Sequence, residues 1–195
     1  PEDANKGTFG KVLIVAGSEN YPGAAYLSCA AAYRVGAGLV TLVTDKETKI
    51  IVSKKLPEVT FLSPHQVFEK LGDFDVVLIG PGLGQSKGTI KFVEKLLKEK
   101  LPVVVIDGDG LNILSKIDRW WDKVKAKMIL TPHPGEIARL TALTITEIQL
   151  NRENIAKQFA KKWGHVVVLK GANTVVASPG GQIRISPFAN PLLAT

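Results

Sequence analysis

Apolar residues along this chain follow two alternating rhythms. Short unbroken runs stand at Lys11–Ala16 (KVLIVA), Leu39–Thr44, Asp75–Ile79, Pro102–Ile106, Met128–Leu130 and Val166–Leu169. β-Branched runs of this length, closed by glycine, proline or charge, predict buried strands. Between them, stretches 87–99, 110–117 and 146–162 carry apolar residues at every third or fourth position, the period of an amphipathic helix. A further helix is predicted after Pro22-Gly23, where AAYLSCAAAYRVGAG sets Leu27, Ala31 and Val35 at helical spacing. Alanine at that density lets a helix lie close against a sheet. Past Gly171 the rhythm changes: Thr174–Ala177, the Pro179-Gly180-Gly181 turn and Ile183–Ile185 predict a β-hairpin.

Continuous apolar strands separated by helices predict an α/β fold, a largely parallel central sheet with helices on both faces and a C-terminal hairpin. There is no internal repeat, linker or low-complexity segment, so residues 1–195 are read as one domain. The longest apolar runs, Val103–Ile106 and Val166–Leu169, fall far short of the ~20 residues that cross a bilayer. No charged-then-apolar leader opens the chain, and a cytoplasmic location with no membrane partner is expected. A single cysteine, Cys29, excludes an internal disulfide framework and a cysteine-based zinc site. It lies in the alanine-rich helix and reads as inert packing.

Such sheets bind ligands outside the carboxyl ends of their strands. The residues standing there are Gly17-Ser18, Gly80-Pro81-Gly82-Leu83-Gly84, Asp107-Gly108-Asp109-Gly110, Thr131–Glu136 and Lys170-Gly171-Ala172-Asn173-Thr174. Gly80–Gly84 suits either an anion at a helix N-terminus or a tight turn. Asp107 suits a water-mediated metal or ligand contact, and Asp109 suits a helix N-cap. His133, flanked by two prolines, is placed to hydrogen-bond a substrate amide or phosphate. Glu136 serves as well for a magnesium-bound water as for a favourable charge in a helix begun by Pro134. Lys170 beside a glycine can meet a phosphate as a point charge, and Thr174 a ribose or phosphate oxygen. His65 and His165 lack such a setting and are expected at the surface or in a structural role. Trp120 and Trp121 are expected to cover an edge.

Lys plus Arg number 25 against 18 Asp plus Glu, a formal charge of +7. A basic balance favours an anionic partner. The lysines are dispersed, as at Lys91, Lys95, Lys98 and Lys100, without interleaved aromatics, so a phosphorylated small molecule is expected rather than nucleic acid.

Taken in order, NKGTFGKVLIVAGSENYPGAAYLSCAAAYRVGAGLVTL, LPEV, VVLIGPGLG, VVIDGDGLNIL, ILTPHPGEIARL and VVLKGANTVVASPGG closely resemble the ADP/ATP-dependent NAD(P)H-hydrate dehydratase family of the ribokinase-like superfamily. The resemblance runs from Asn5 to Thr195. It implies repair of (S)-NAD(P)H hydrate (NADHX or NADPHX): ADP or ATP phosphorylates the ring hydroxyl, and phosphate then leaves to restore NAD(P)H. ADP or ATP and Mg²⁺ are the implied cofactors. By the same resemblance Ala24, Ala25, Gly82, Gly84 and His133 would contact the hydrate. Lys170, Gly171, Ala172, Asn173 and Thr174 would hold the nucleotide, and Glu136 would be the magnesium-linked acid. Other readings are a ribokinase-like kinase for a vitamin precursor and a non-catalytic adenine-nucleotide-binding fragment.

The chain departs from the family's pattern in places. Asn5 replaces a usual histidine, and Gly108 and Gly110 replace usual alanines. Ser186–Thr195 resembles the approach to the family's Gly-Gly-x-Gly-Asp loop, whose aspartate would be the base, so the catalytic residue is expected beyond Thr195. From this follow two expectations for a polypeptide ending there: nearly absent phosphoryl transfer, and exposed apolar surface that favours association. A homo-oligomer is expected, and Pro1-Glu2-Asp3 reads as following an epimerase domain.

Overall fold

The computed structural model describes residues 8–189. The expectations for Pro1–Asp3, Asn5 and the last residues from Asn190 lie outside them.

Among the described residues nine strands form one sheet: β1 (Lys11–Val15), β2 (Leu39–Val43), β3 (Thr60–Phe61), β4 (Val76–Ile79), β5 (Val103–Ile106), β6 (Met128–Leu130), β7 (Val166–Leu169), β8 (Val175–Ala177) and β9 (Ile183–Ile185). Their spatial order is β3-β2-β1-β4-β5-β6-β7-β8-β9. Pairing is parallel through β7, and β8 and β9 add the antiparallel hairpin. Each expected strand is present, with ends shifted by a residue at most. The order reverses between β1 and β4, the switch point at whose carboxyl edge open α/β sheets form a ligand crevice.

Alternation along the strands divides the core in two. Leu13, Val15, Val77, Ile79, Val104, Ile106, Leu130, Val167 and Leu169 are almost wholly buried on one face. Seven helices contribute to this cluster: α3 (Pro64–Lys70), α4 (Lys87–Leu96), α5 (Asp109–Leu114), α6 (Trp120–Lys123), α7 (Pro134–Thr141), α8 (Ile145–Leu150) and α9 (Arg152–Trp163). On the opposite face α1 (Pro22–Arg34) and α2 (Lys46–Lys55) pack a smaller cluster around Ile14, Val40 and Leu42. Further along that face Val76, Leu78, Val105, Ile129, Val166 and Val168 stay half-buried. An open groove runs over Val12, Leu27, Val35, Val76 and Val105.

The alanine-rich helix forms, but Leu27, Ala31 and Val35 are not its buried stripe. Ala25, Cys29 and Ala30 face the sheet, while Leu27 is 61% and Val35 86% exposed. The small residues win the inner face because only they permit close approach. Burial pushes the Cys29 thiol up to about 12, so it is inert as expected. The expected helix over 146–162 is two helices, because Asn151 leaves helical backbone between α8 and α9. Helices α2 and α3 escape the periodicity, since they bury only Thr48 and Val52, and Val67. Their caps, Asp45 and Ser63, carry the starting signal instead.

Trp120 is buried, stacks on His165 and tilts against Trp163, while Trp121 lies edge-on to it. His165 is thus structural and His65 is exposed.

Candidate active site

The five loops predicted to matter all leave the same edge of the sheet, and hydrogen bonds tie them into one rim. Gly17 donates its N–H to the Pro81 carbonyl at 2.8 Å, and the Ser18 hydroxyl donates to the Gly82 carbonyl at 2.7 Å. At Gly80 a Cβ would stand 2.0 Å from the Asp107 carbonyl oxygen, so only glycine lets these two turns touch. A Cβ at Gly82 would fall 2.7 Å from the Cβ atoms of both Ala24 and Tyr21. Ala24, Gly82 and Gly84 therefore share one corner of the crevice. Ala25 does not: it is fully buried against Gly17, and its methyl is closed to any ligand.

Asp109 is not an N-cap. Gly108 precedes the helix with φ +53°, and Asp109 is the first residue of α5. Its carboxylate instead accepts from the Gly84 N–H at 2.8 Å, the Gln85 amide at 3.0 Å and the Asn112 amide at 3.2 Å. Lys116 donates to Gln85 and Arg139 to Asn112, so two cations balance the acid from outside. The Gly84 N–H, a candidate anion donor in the sequence, is already taken by a carboxylate.

A second corner gathers charge. Asp107 accepts from the Thr131 hydroxyl at 2.8 Å and pairs with the Lys170 ammonium. That ammonium also lies 3.9 Å from Glu136 Oε2. Glu136 is buried and closes a capping box, its Oε2 accepting the His133 N–H at 2.8 Å. Pro134 begins α7, as one reading of the sequence had it. His133 Nδ1 accepts from the Gly135 N–H at 3.0 Å, which leaves the proton on Nε2, 3.3 Å from Glu136 Oε1. The exposed imidazole is thereby held as one tautomer at the rim.

Lys170 is anchored through its own backbone, its N–H donating to the Pro132 carbonyl at 2.8 Å. The turn that follows carries Gly171, Ala172, Asn173 at φ +55°, and Thr174, whose hydroxyl donates to the Gly171 carbonyl at 3.0 Å. Beside it opens a cleft of about 580 Å³ whose lining includes Gln149, Asn151, Arg152, Asn173, Val175 and Ile185.

Among the described residues no group of three or more His, Cys, Asp or Glu could hold a metal alone. Two hard carboxylates, Asp107 and Glu136, do flank a point where one cation, the Lys170 ammonium, is balanced. That donor set fits Mg²⁺, which takes one or two carboxylates and completes its shell with water and phosphate oxygens. Sequence reasoning missed the partners: Asp109 as the clamp on Gly84, Thr131 on Asp107, and Arg139 behind Asn112. Each contact joins residues far apart in the chain and leaves no local pattern.

A family model described as NAD(P)H-hydrate dehydratase matches residues 12–195. The bifunctional NAD(P)H-hydrate repair enzyme Nnr of Moorella thermoacetica is 38% identical over 204 residues, covering 98% of this chain and 38% of its own length. The chain thus spans about two fifths of that relative. The crystal structure of ADP/ATP-dependent NAD(P)H-hydrate dehydratase from Bacillus subtilis, co-crystallised with ATP/Mg²⁺, superposes with a TM-score of 0.85 at 34% identity. It covers 100% of this chain and 70% of the other. A ribokinase-like superfamily protein from Enterococcus faecalis gives a TM-score of 0.88 at 27% identity, again over 100% of this chain and 69% of the other. With a ribokinase-like fold and a family match over nearly its whole length, the chain belongs to the NAD(P)H-hydrate dehydratase family.

Proposed function

We propose that this chain forms the nucleotide- and hydrate-binding part of an enzyme that dehydrates (S)-NAD(P)H hydrate at the expense of ADP or ATP. The observation that carries the reading is the Lys170 ammonium held between Asp107 and Glu136, next to the Gly82–Gly84 corner and His133. The name of the Bacillus subtilis relative and its co-crystallisation with ATP/Mg²⁺ support the nucleotide and the metal.

In this reading Lys170 meets the phosphates of the nucleotide, and the turn to Thr174 holds its ribose and phosphate oxygens. Asp107 and Glu136 would hold Mg²⁺, and the ion, when bound, would neutralise charge on the phosphates. Ala24, Gly82 and Gly84 shape the wall for the hydrate, and the exposed His133 imidazole, held against Glu136, borders it. Asp109, by filling the Gly84 N–H, leaves that corner an acceptor for hydroxyl or amide groups and keeps phosphate at the Lys170 corner. The ring hydroxyl takes the terminal phosphoryl group, then phosphate departs as the neighbouring ring carbon loses a proton. The net products are NAD(P)H, phosphate and the nucleotide shortened by one phosphate.

The test is to supply the full natural polypeptide with NADH hydrate and ADP and follow the absorbance of the restored dihydronicotinamide. Turnover is expected, and Lys170→Met should cut kcat/KM by about 100-fold or more, the scale of losing one charge-stabilising donor. Accumulation of a phosphorylated product without dihydronicotinamide would replace this reading with the small-molecule kinase. ADP binding without either product would leave a nucleotide-binding role alone.

A further inference from the structure

Arg152 opens α9 and lies against the Lys170–Thr174 turn, on the wall of the cleft beside it. Its Nη2 donates to the carbonyls of both Leu169 (2.9 Å) and Lys170 (3.2 Å), and its Nη1 donates to Gln149 Oε1 at 3.1 Å. A Cβ at Gly171 would fall 3.1 Å from both Nη atoms. Gly171, with φ +142°, is thus the residue that lets the guanidinium come up against the turn. The Nε–H is buried without a partner, so the group has given up water on that side to sit here. Burial lowers the Arg152 pKa from its ordinary value.

The Lys170 backbone is therefore gripped from two directions, its N–H by Pro132 and its carbonyl by Arg152. A peptide unit is planar, with its N–H opposed to its C=O. Drawing the Lys170 carbonyl onto the guanidinium turns the Gly171 N–H away from it, and leaves the Lys170 side chain directed at Asp107 and Glu136. We propose that Arg152 is a positioning residue for nucleotide binding: it fixes the Lys170–Thr174 turn through two consecutive carbonyls. This rests on the nucleotide reading given above. A planar fork can hold both carbonyls and the Gln149 amide at once, whereas an ammonium cannot match that geometry.

The experiment compares wild type, Arg152→Met, Arg152→Gln and Arg152→Lys in the full natural polypeptide. Calorimetry with ADP, steady-state kinetics with NADH hydrate, and hydrogen exchange without nucleotide are the readouts. Arg152→Met should weaken ADP by about tenfold or more, the scale of one lost hydrogen bond to a charged group. Its KM for the hydrate should stay within about twofold. Exchange of the 171–174 amides should quicken while that of β7 does not. Arg152→Lys should leave most of the defect, and Arg152→Gln carries the same expectation if the methionine variant folds poorly. Full recovery in Arg152→Lys would show that charge alone matters and overturn the proposal. Equal losses for ADP and hydrate, or exchange unchanged in the turn, would overturn it as well. Wild type that binds no ADP would overturn the nucleotide reading and this proposal together; wild type that binds while every variant binds equally would overturn this proposal alone.

Discussion

The two faces of the sheet are made from the same residues and live in different surroundings. Along β4 and β5, Val77, Ile79, Val104 and Ile106 are fully buried, while their immediate neighbours Val76, Leu78 and Val105 are only half-buried. Side chains alternate across a strand, so a single valine run supplies both sets. Seven helices contribute to the cluster on the first face, and the second has α1 and α2 over β1 and β2 and an open groove beyond. The lesson is that an apolar run records how many faces a strand offers for burial, whereas the helices decide how many are used. The rim of loops lies where the two faces meet, and its hydrogen bonds join turns without regard to which face their helices cover.

The largest expected effect lies on the covered face. Ile106→Ala should cost about 3 kcal/mol in urea unfolding, since a fully buried side chain leaves a cavity. Val105→Ala, one residue away, should cost less than about 1 kcal/mol. Equal costs would mean that the groove face is as tightly packed as the other, and the contrast would fail.

Acid should sharpen the contrast next. His165 is buried against Trp120, both ring nitrogens lack partners, and burial lowers its pKa from 6.5. In the unfolded chain the imidazole takes a proton more readily. Its contribution is therefore fully present above about pH 6.5 and is lost as pH falls through the lowered folded-state pKa. His165→Phe should flatten the fall of Tm between about pH 7 and 5. An unchanged slope would show that other groups govern it.

The smallest change in stability belongs to the groove. Leu27→Lys, at a position 61% exposed, should shift unfolding by no more than about 0.5 kcal/mol. It should nevertheless reduce concentration-dependent association of the 195-residue polypeptide in light scattering, because a contiguous apolar patch drives contact. Scattering identical to wild type would show that this face does not drive association.

Reading the chain in order recovers a good deal of this. The β-branched runs predict seven parallel strands less the two-residue β3, and the hairpin follows from Pro179-Gly180-Gly181. The five rim loops are legible because glycine, acid, histidine and lysine stand where apolar runs end. What is not legible is pairing. Asp109 reads as a cap because capping is local, yet its carboxylate crosses 25 residues to Gly84. Arg152 carries no local signal of its own, and its carbonyl partners lie 17 and 18 residues away. The alanine-rich helix misleads differently: its large apolar residues invite burial, but close packing against the sheet selects Ala25, Cys29 and Ala30.

By itself, the order of residues determined the alternation of strand and helix, the edge of the sheet that carries the chemistry, and which loops gather there. Those follow from local preferences and from apolar period, which neighbouring residues enforce on one another. Only the tertiary structure decided that Asp107, Glu136 and Lys170 form one charged corner, that Asp109 and Arg152 brace the loops, and that one sheet face is covered more fully than the other. These depend on distances between residues remote in the chain, and such distances exist only once the backbone has closed upon itself.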